Sequence, residues 1–261
     1  MNRMKSFPIR ILLLLGLFLF SCSQPQPESG TLTQVSTIDA LLAGMYDGQM
    51  SCKELSTQGG FGIGTFDRLD GEMVVYEGVI YQVKADGEIV KAAPEMTTPF
   101  ATVMNFITES SSAIDTSMNV QDIQNFLDRA ISNPNLFYGI QIHGEFAYMK
   151  TRSVPAQEKP YPPLVEVTAK QSVFESANIS GTIVGLYCPP FVKGINLPGY
   201  HLHFLSDDRQ HGGHILDFRI EQGTVSLSSC NRFVLDLPAE GDFHRIDLSK
   251  DRSDELKQAE E

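Results

Sequence analysis

Cysteine is scarce in this chain, with four in 261 residues. That is too few for a disulfide scaffold, so a packed core must hold the fold. Positive charge is also short: 20 Lys+Arg face 32 Asp+Glu, a formal net charge of −12. A general nucleic-acid binder needs a basic face to offset phosphate charge, and this balance argues against one. The single Gly-rich run, residues 59–66, lacks both the Gly-Lys-Ser/Thr ending of a P-loop and the GxGxxG spacing of a dinucleotide fingerprint. It reads as a strand or turn that passes close to another backbone. The apolar run at residues 11–20 is too short to cross a bilayer comfortably as a helix, which takes about 20 residues. What the chain does have is 42% apolar residues, enough for a core, which excludes a wholly disordered chain. The length suits one large domain or two small ones.

The start differs from the rest. Arg3, Lys5 and Arg10 are basic, the apolar run follows, and Ser21 closes it. This is the pattern of a secretory signal. Leu19-Phe20-Ser21-Cys22 resembles a bacterial lipobox, in which Cys22 becomes the lipidated first residue of the mature chain. The polar, Pro-containing stretch after it suits a tether. The expectation is a leader over 1–21, a tether over 22–35, and an exported lipoprotein of the bacterial envelope that meets the membrane only through the lipid on Cys22. Removing the leader takes away three cations and no anion, so the mature chain is more acidic still. Cys52, Cys188 and Cys230 then remain, an odd number, and none is assigned a disulfide.

Along the mature chain, Ser36-Thr37 is positioned to cap a short helix over 38–45. Residues 72–76 and 79–83 flank Glu77-Gly78 as a hairpin. Val120, Ile123, Phe126, Leu127, Ala130 and Ile131 recur at helical spacing, in a helix that starts near Asn119 and ends before Pro134. Residues 137–152 read as a long strand, 164–174 as a helix, and 179–187, 200–205, 214–220 and 224–230 as strands. Pro160, Pro162 and Pro163 make a rigid connector and a candidate domain boundary. The charged tail from residue 242 reads as disordered on composition. The expected class is a strand-rich mixed α/β, α+β-like protein with two sheet-containing domains. These are an N-terminal domain over 36–158 and a C-terminal metal-binding domain over 159–247, followed by a tail over 248–261.

Four of the six histidines fall within fourteen residues: His201, His203, His211 and His214. On a strand, residues i and i+2 share a face. His201 and His203 therefore present two imidazoles together, with Leu202 and Phe204 on the other side. A turn through 207–213 returns the chain so that His214 can complete a three-histidine face on this C-terminal-half sheet. Three neutral imidazoles with an open fourth position are a common zinc arrangement, although imidazole also suits copper, iron and nickel. A single histidine is more often an ordinary hydrogen-bonding residue, and His143 and His244 are read that way. His211 sits in the turn as an outer or solvent-facing group.

Residues 61–72, Phe-Gly-Ile-Gly-Thr-Phe-Asp-Arg-Leu-Asp-Gly-Glu, continued by 79–87, resemble a signature of bacterial α-acetolactate decarboxylases. Residues 199–209 followed by Gly212-Gly213-His214 resemble the metal-binding signature of that family. The likeness runs from about residue 36 to residue 247. It implies decarboxylation of 2-acetolactate to acetoin and CO2 with a zinc ion, a fold of two α/β domains, and a homodimer formed through sheet edges. It implies His201, His203 and His214 as zinc ligands, and Glu72, Thr65 and Arg152 as active-site residues. It also implies a glutamate from the tail, with Glu260 fitting best by spacing and Glu255 and Glu261 as rivals. In this scheme zinc acts as the electron sink, Arg152 holds the substrate carboxylate, and either Arg152 or Glu72 directs the proton. Two alternatives stand beside it: another metal-dependent lyase or hydrolase acting on a small oxygenated acid, and a non-catalytic lipoprotein that binds metal or a small ligand.

Overall fold

The structure, a computed structural model, describes Met1 and residues 30–260. Residues 2–29, which hold the rest of the expected leader, Cys22 and most of the expected tether, and Glu261 lie outside the described residues. In chain order the elements are β1 (Thr31–Val35), α1 (Ile38–Leu42), β2 (Met50–Ser51), α2 (Cys52–Ser56), β3 (Phe61–Thr65), β4 (Glu72–Tyr76), β5 (Val79–Val83), β6 (Ile89–Lys91), β7 (Thr97–Thr98), β8 (Ala101–Met104), β9 (Ser110–Ile114) and β10 (Met118–Asn119). There follow α3 (Val120–Ala130), β11 (Phe137–Ser153), α4 (Leu164–Thr168), β12 (Ser172–Cys188), β13 (Gly199–Ser206), β14 (Gly212–Cys230), β15 (Arg232–Asp236) and α5 (Ser253–Glu260).

Two sheets dominate. The first runs β15-β1-β8-β3-β4-β5-β6, and β1 pairs with β15 in parallel. The second runs β10-β14-β11-β12-β13 with β9 also on β14, and β13 pairs back onto β14, so its long strands close on themselves. Glycine lets β3 approach β8: a Cβ on Gly64 would lie 2.5 Å from the Phe100 carbonyl oxygen. Between the sheets pack Val74, Val83, Val184, Leu186 and Leu205. On the far face of the second sheet, Leu202, Phe204, Phe146 and Phe218 meet Ile123 and Leu127 of α3. A third cluster gathers α1, α4 and α5 through Leu41, Leu164, Leu256 and Ala259 beside Leu69 and Val154.

Several expectations change. The tether does not reach residue 35, because Leu32 and Val35 are buried and β1 already belongs to the first sheet. The helix over 164–174 stops at Thr168. Val173 and Phe174 instead pair with Arg152 and Thr151 of β11, as β-branched and aromatic residues favour. Residues 214–220 and 224–230 form one strand. The sheets do not divide at residue 159. There β11 and β12 are neighbours in one sheet on either side of that boundary, while β15, from beyond it, completes the other. The tail is ordered into α5, because Leu256 and Ala259 give its charged sequence one apolar face to bury.

Candidate metal centre

Alternation along β13 puts Leu202 and Phe204 into the core and turns His201 and His203 the other way. Strand register supplies the rest. His203 lies opposite His214 of β14, and His214 lies opposite Arg152 of β11, so three charged or ligating residues form one cross-strand row. The Gly212-Gly213 pair allows this approach. Gly213 has φ +124°, and a Cβ there would lie 2.4 Å from the Arg152 carbonyl oxygen. The Thr151 hydroxyl donates to the Gly212 carbonyl (2.7 Å) and pins the same turn.

The three imidazoles converge, with ring centroids 5.0 to 5.3 Å apart. One ring nitrogen from each lies within 4.8 Å of the others. From β4, Glu72 Oε2 comes to 3.6 Å from His203 Nε2, and Glu72 Oε1 lies 3.9 Å from Arg152 Nη1. From the end of α5, Glu260 Oε2 lies 3.5 Å from His214 Nε2 and 3.9 Å from His201 Nε2. Glu255 turns away to Arg252, at 2.6 Å. The Thr65 hydroxyl donates to the Gly71 carbonyl (2.7 Å), and Thr65 pairs with Glu72 across β3 and β4. Thr65, Glu72, Arg152, His201, His203 and Glu260 line a chamber of about 40 Å³ whose apolar wall includes Leu69, Phe100, Val154 and Leu164. His211 is exposed near Ser176, His143 lies beside Thr182, and His244 is exposed by Arg245, all apart from this chamber.

Burial sets the charge states. It lowers all three imidazoles, His201 to about 3 and the other two well below the usual value, with Arg152 adding to the shift in each. They are neutral at physiological pH, the form in which an imidazole can offer a lone pair to a metal. Burial also raises Glu72 to about 7, against the pull of Arg152 and with help from Glu260. Glu260 is raised by the same cause, and Arg152 again opposes it.

The donor set fits a divalent metal. His203 Nδ1 donates to the Met73 carbonyl (2.9 Å), which leaves Nε2 as a bare lone pair. That Nε2 is buried without a partner, a costly state for a polar atom unless something else binds it. Zinc–nitrogen bonds of about 2.0–2.1 Å in a tetrahedron need nitrogens about 3.4 Å apart, close to the 3.2 Å between His201 Nε2 and His214 Nδ1. The Met73 carbonyl and the Thr151 hydroxyl were not legible as site groups. A backbone oxygen carries no sequence signal, and Thr151 shows its role only through pairing with the glycine turn.

Comparison with known proteins agrees over most of the chain. Residues 32–250 match the family described as Alpha-acetolactate decarboxylase. The alpha-acetolactate decarboxylase of Methanosarcina mazei is 47% identical over 232 residues, which cover 89% of this chain and 81% of that protein. The Bacillus subtilis enzyme of the same name is 39% identical over 223 residues, 85% and 87% of the two chains. The crystal structure of alpha-acetolactate decarboxylase from Bacillus subtilis strain 168 superimposes with a TM-score of 0.86 at 37% identity, covering 88% of this chain and 99% of that one.

Proposed function

The chain belongs to the alpha-acetolactate decarboxylase family, and from that premise we propose that it converts 2-acetolactate to acetoin and CO2 at the three-histidine centre, with zinc as the metal. The observation that carries this reading is Arg152. Arg152 is buried at 4% exposure, its contact with Glu72 is a long 3.9 Å, and its Nε has no partner. A buried cation with an open donor calls for an anion, and a substrate carboxylate supplies the planar, charge-assisted partner it lacks.

His201, His203 and His214 would hold the zinc, which when bound would supply Lewis-acid charge toward the substrate carbonyl. Arg152 orients the carboxylate in the same chamber. When the carbon–carbon bond to that carboxylate breaks, CO2 leaves and the electron pair stays on the adjoining carbon. Glu72 sits beside both Arg152 and His203, and burial pushes its carboxyl toward the protonated form. It delivers its proton to the electron-rich carbon, and solvent restores it. Thr65 steadies the β3–β4 turn that carries Glu72, and Glu260 closes the chamber from the tail. The apolar wall receives the methyl groups and keeps water out.

A colorimetric acetoin assay with metal content measured on the same sample tests this. Metal-loaded protein should form acetoin, and chelation or His203→Ala should abolish it. Glu72→Gln should keep its metal and lose roughly 100-fold or more in kcat. Normal turnover in metal-free protein would overturn the proposal.

We also propose that residues 1–21 are removed and that Cys22 carries the lipid, on the strength of the leader pattern; the mass of the mature N-terminus decides it. A homodimer through sheet edges follows from the family likeness. The ends of the first sheet, β15 and β6, offer such edges, and light scattering on the purified chain tests it.

A further inference from the structure

The turn between the ligand-bearing strands contains Arg209, which the mechanism above does not use. Its backbone has φ +59°, a left-handed conformation uncommon outside glycine. The turn is nevertheless heavily tied. Arg209 N donates to the Ser206 carbonyl at 3.0 Å, and Arg209 Nη1 donates to the same carbonyl at 2.6 Å. The Ser206 hydroxyl accepts from the backbone N–H of Gln210 (3.1 Å) and of His211 (2.9 Å). The guanidinium then reaches out of this hairpin to the other sheet. It lies 5.4 Å from the ring centre of Tyr81 on β5 and 5.9 Å from that of Tyr76 on β4.

These contacts join the two pieces of the site. The β13–β14 hairpin carries all three histidines, and the β4–β5 hairpin carries Glu72. They already touch where His203 Nδ1 donates to the Met73 carbonyl. Ser206, where Arg209 is anchored, is three residues further along β13, about 10 Å away. The Ser153 hydroxyl of β11, the strand paired with β14, also donates to the Val83 carbonyl opposite Glu72 (2.7 Å), so both hydrogen bonds lie at the Glu72 end of the β4–β5 hairpin. The apolar packing of Val74, Val83 and Leu205 between the sheets resists separation but sets no direction. The Arg209 contact with Tyr76 and Tyr81, further along the same hairpin, adds support at a distance from both bonds.

We propose that Arg209 is a positioning residue, a clip between the two hairpins that holds the Glu72 carboxylate at its distance and angle from the histidine trio. The inference rests on the metal-centre reading. Its test is made on the full chain with Arg209→Gln, Arg209→Lys and Tyr81→Leu.

Cobalt(II) affinity is read by chelator competition, cobalt geometry by the visible spectrum, and hairpin mobility by hydrogen exchange at Gly212–His214 in metal-free protein. Arg209→Gln should weaken cobalt binding about tenfold, as loss of an outer support typically does. It should also alter the spectrum, speed exchange at those amides and lower kcat about tenfold, with KM within about twofold of wild type. Arg209→Lys, which keeps a cation over the rings, should recover most of each loss. Wild-type cobalt affinity, spectrum and exchange in Arg209→Gln overturn the proposal. So does a loss of activity that follows the melting temperature in all variants with no spectral change. If Arg209→Gln fails to fold, Tyr81→Leu, which leaves the turn's own hydrogen bonds intact, makes the same comparison. Wild-type protein that binds cobalt but forms no acetoin sinks the proposed reaction and leaves the clip standing.

Discussion

Replacing Leu256 by alanine should detach the tail while leaving the sheets folded. The helix α5 has eight residues, too short to persist alone in water. Its order comes from docking, and among its residues only Leu256 and Ala259 are buried. Burial of the leucine contributes about 2 kcal/mol and the alanine less than 1. The Lys193–Asp251 pair at 2.7 Å is solvent-exposed, and such surface pairs contribute little. Leu256→Ala therefore removes most of what holds α5, about 2 kcal/mol, and lowers the docked-to-undocked ratio roughly 30-fold. Glu260 departs with the helix, and the chamber loses a wall. Hydrogen exchange over 253–260 should accelerate by about that factor and acetoin formation should fall, while the melting temperature moves by less than ~2 °C. Were α5 part of the global cooperative unit, the same 2 kcal/mol would lower the midpoint by about 4–8 °C. A fall of that size with unchanged local exchange refutes the reasoning. Unchanged activity with a fully exchanging tail refutes the role given to Glu260.

Other consequences are open to simpler measurement. Gly64→Ala places a methyl group 2.5 Å from the Phe100 carbonyl oxygen, which cannot retreat, and should cost about 2 kcal/mol or more in urea unfolding. Burial pushes the thiols of Cys188 and Cys230 up to about 12 and that of Cys52 to about 11, so at pH 8 iodoacetamide should label none in native protein and all three in urea. Cys188 and Cys230 lie on strands flanking β11, about 10 Å apart at Cα, so no bridge between them should appear on a non-reducing gel. Asn119→Ala breaks the reciprocal cap with Asp122 at the start of α3. It should lower stability by about 1 kcal/mol on thermal melting and leave kcat unchanged, since α3 packs on the face away from the histidines.

The histidine row was legible because a period of two fixes which residues share a face, and a glycine turn announces that the strand returns. The same pattern could not announce Arg152 as the third member of the row. Its place opposite His214 comes from pairing between strands some sixty residues apart in sequence, which no local rule encodes. Residues 164–174 misled for the opposite reason. Their apolar content suits a helix or a strand, and the ladder with β11 decided the second half. The tail misled because two small anchors among charged residues leave almost no hydrophobic periodicity to read. The boundary placed at residue 159 followed a real proline break in the chain, but the sheet continues across it because β11 and β12 pair over most of their length.

The parallel pairing of β1 with β15 also bears on time. Thr31–Val35, near the start of the described residues, finds its outer neighbour only in Arg232–Asp236, some two hundred residues later. Contacts so distant in sequence close slowly, because the entropy of the intervening loop must be overcome before the pairing rewards it. During synthesis the outer edge of β1 stays bare until nearly the whole chain exists, and Glu260 arrives later still. Folding of this protein should therefore begin in the local hairpins β4–β5 and β13–β14, which already carry Glu72 and the three histidines. The first sheet is sealed near the end, and the catalytic chamber is the last part of the molecule to be completed.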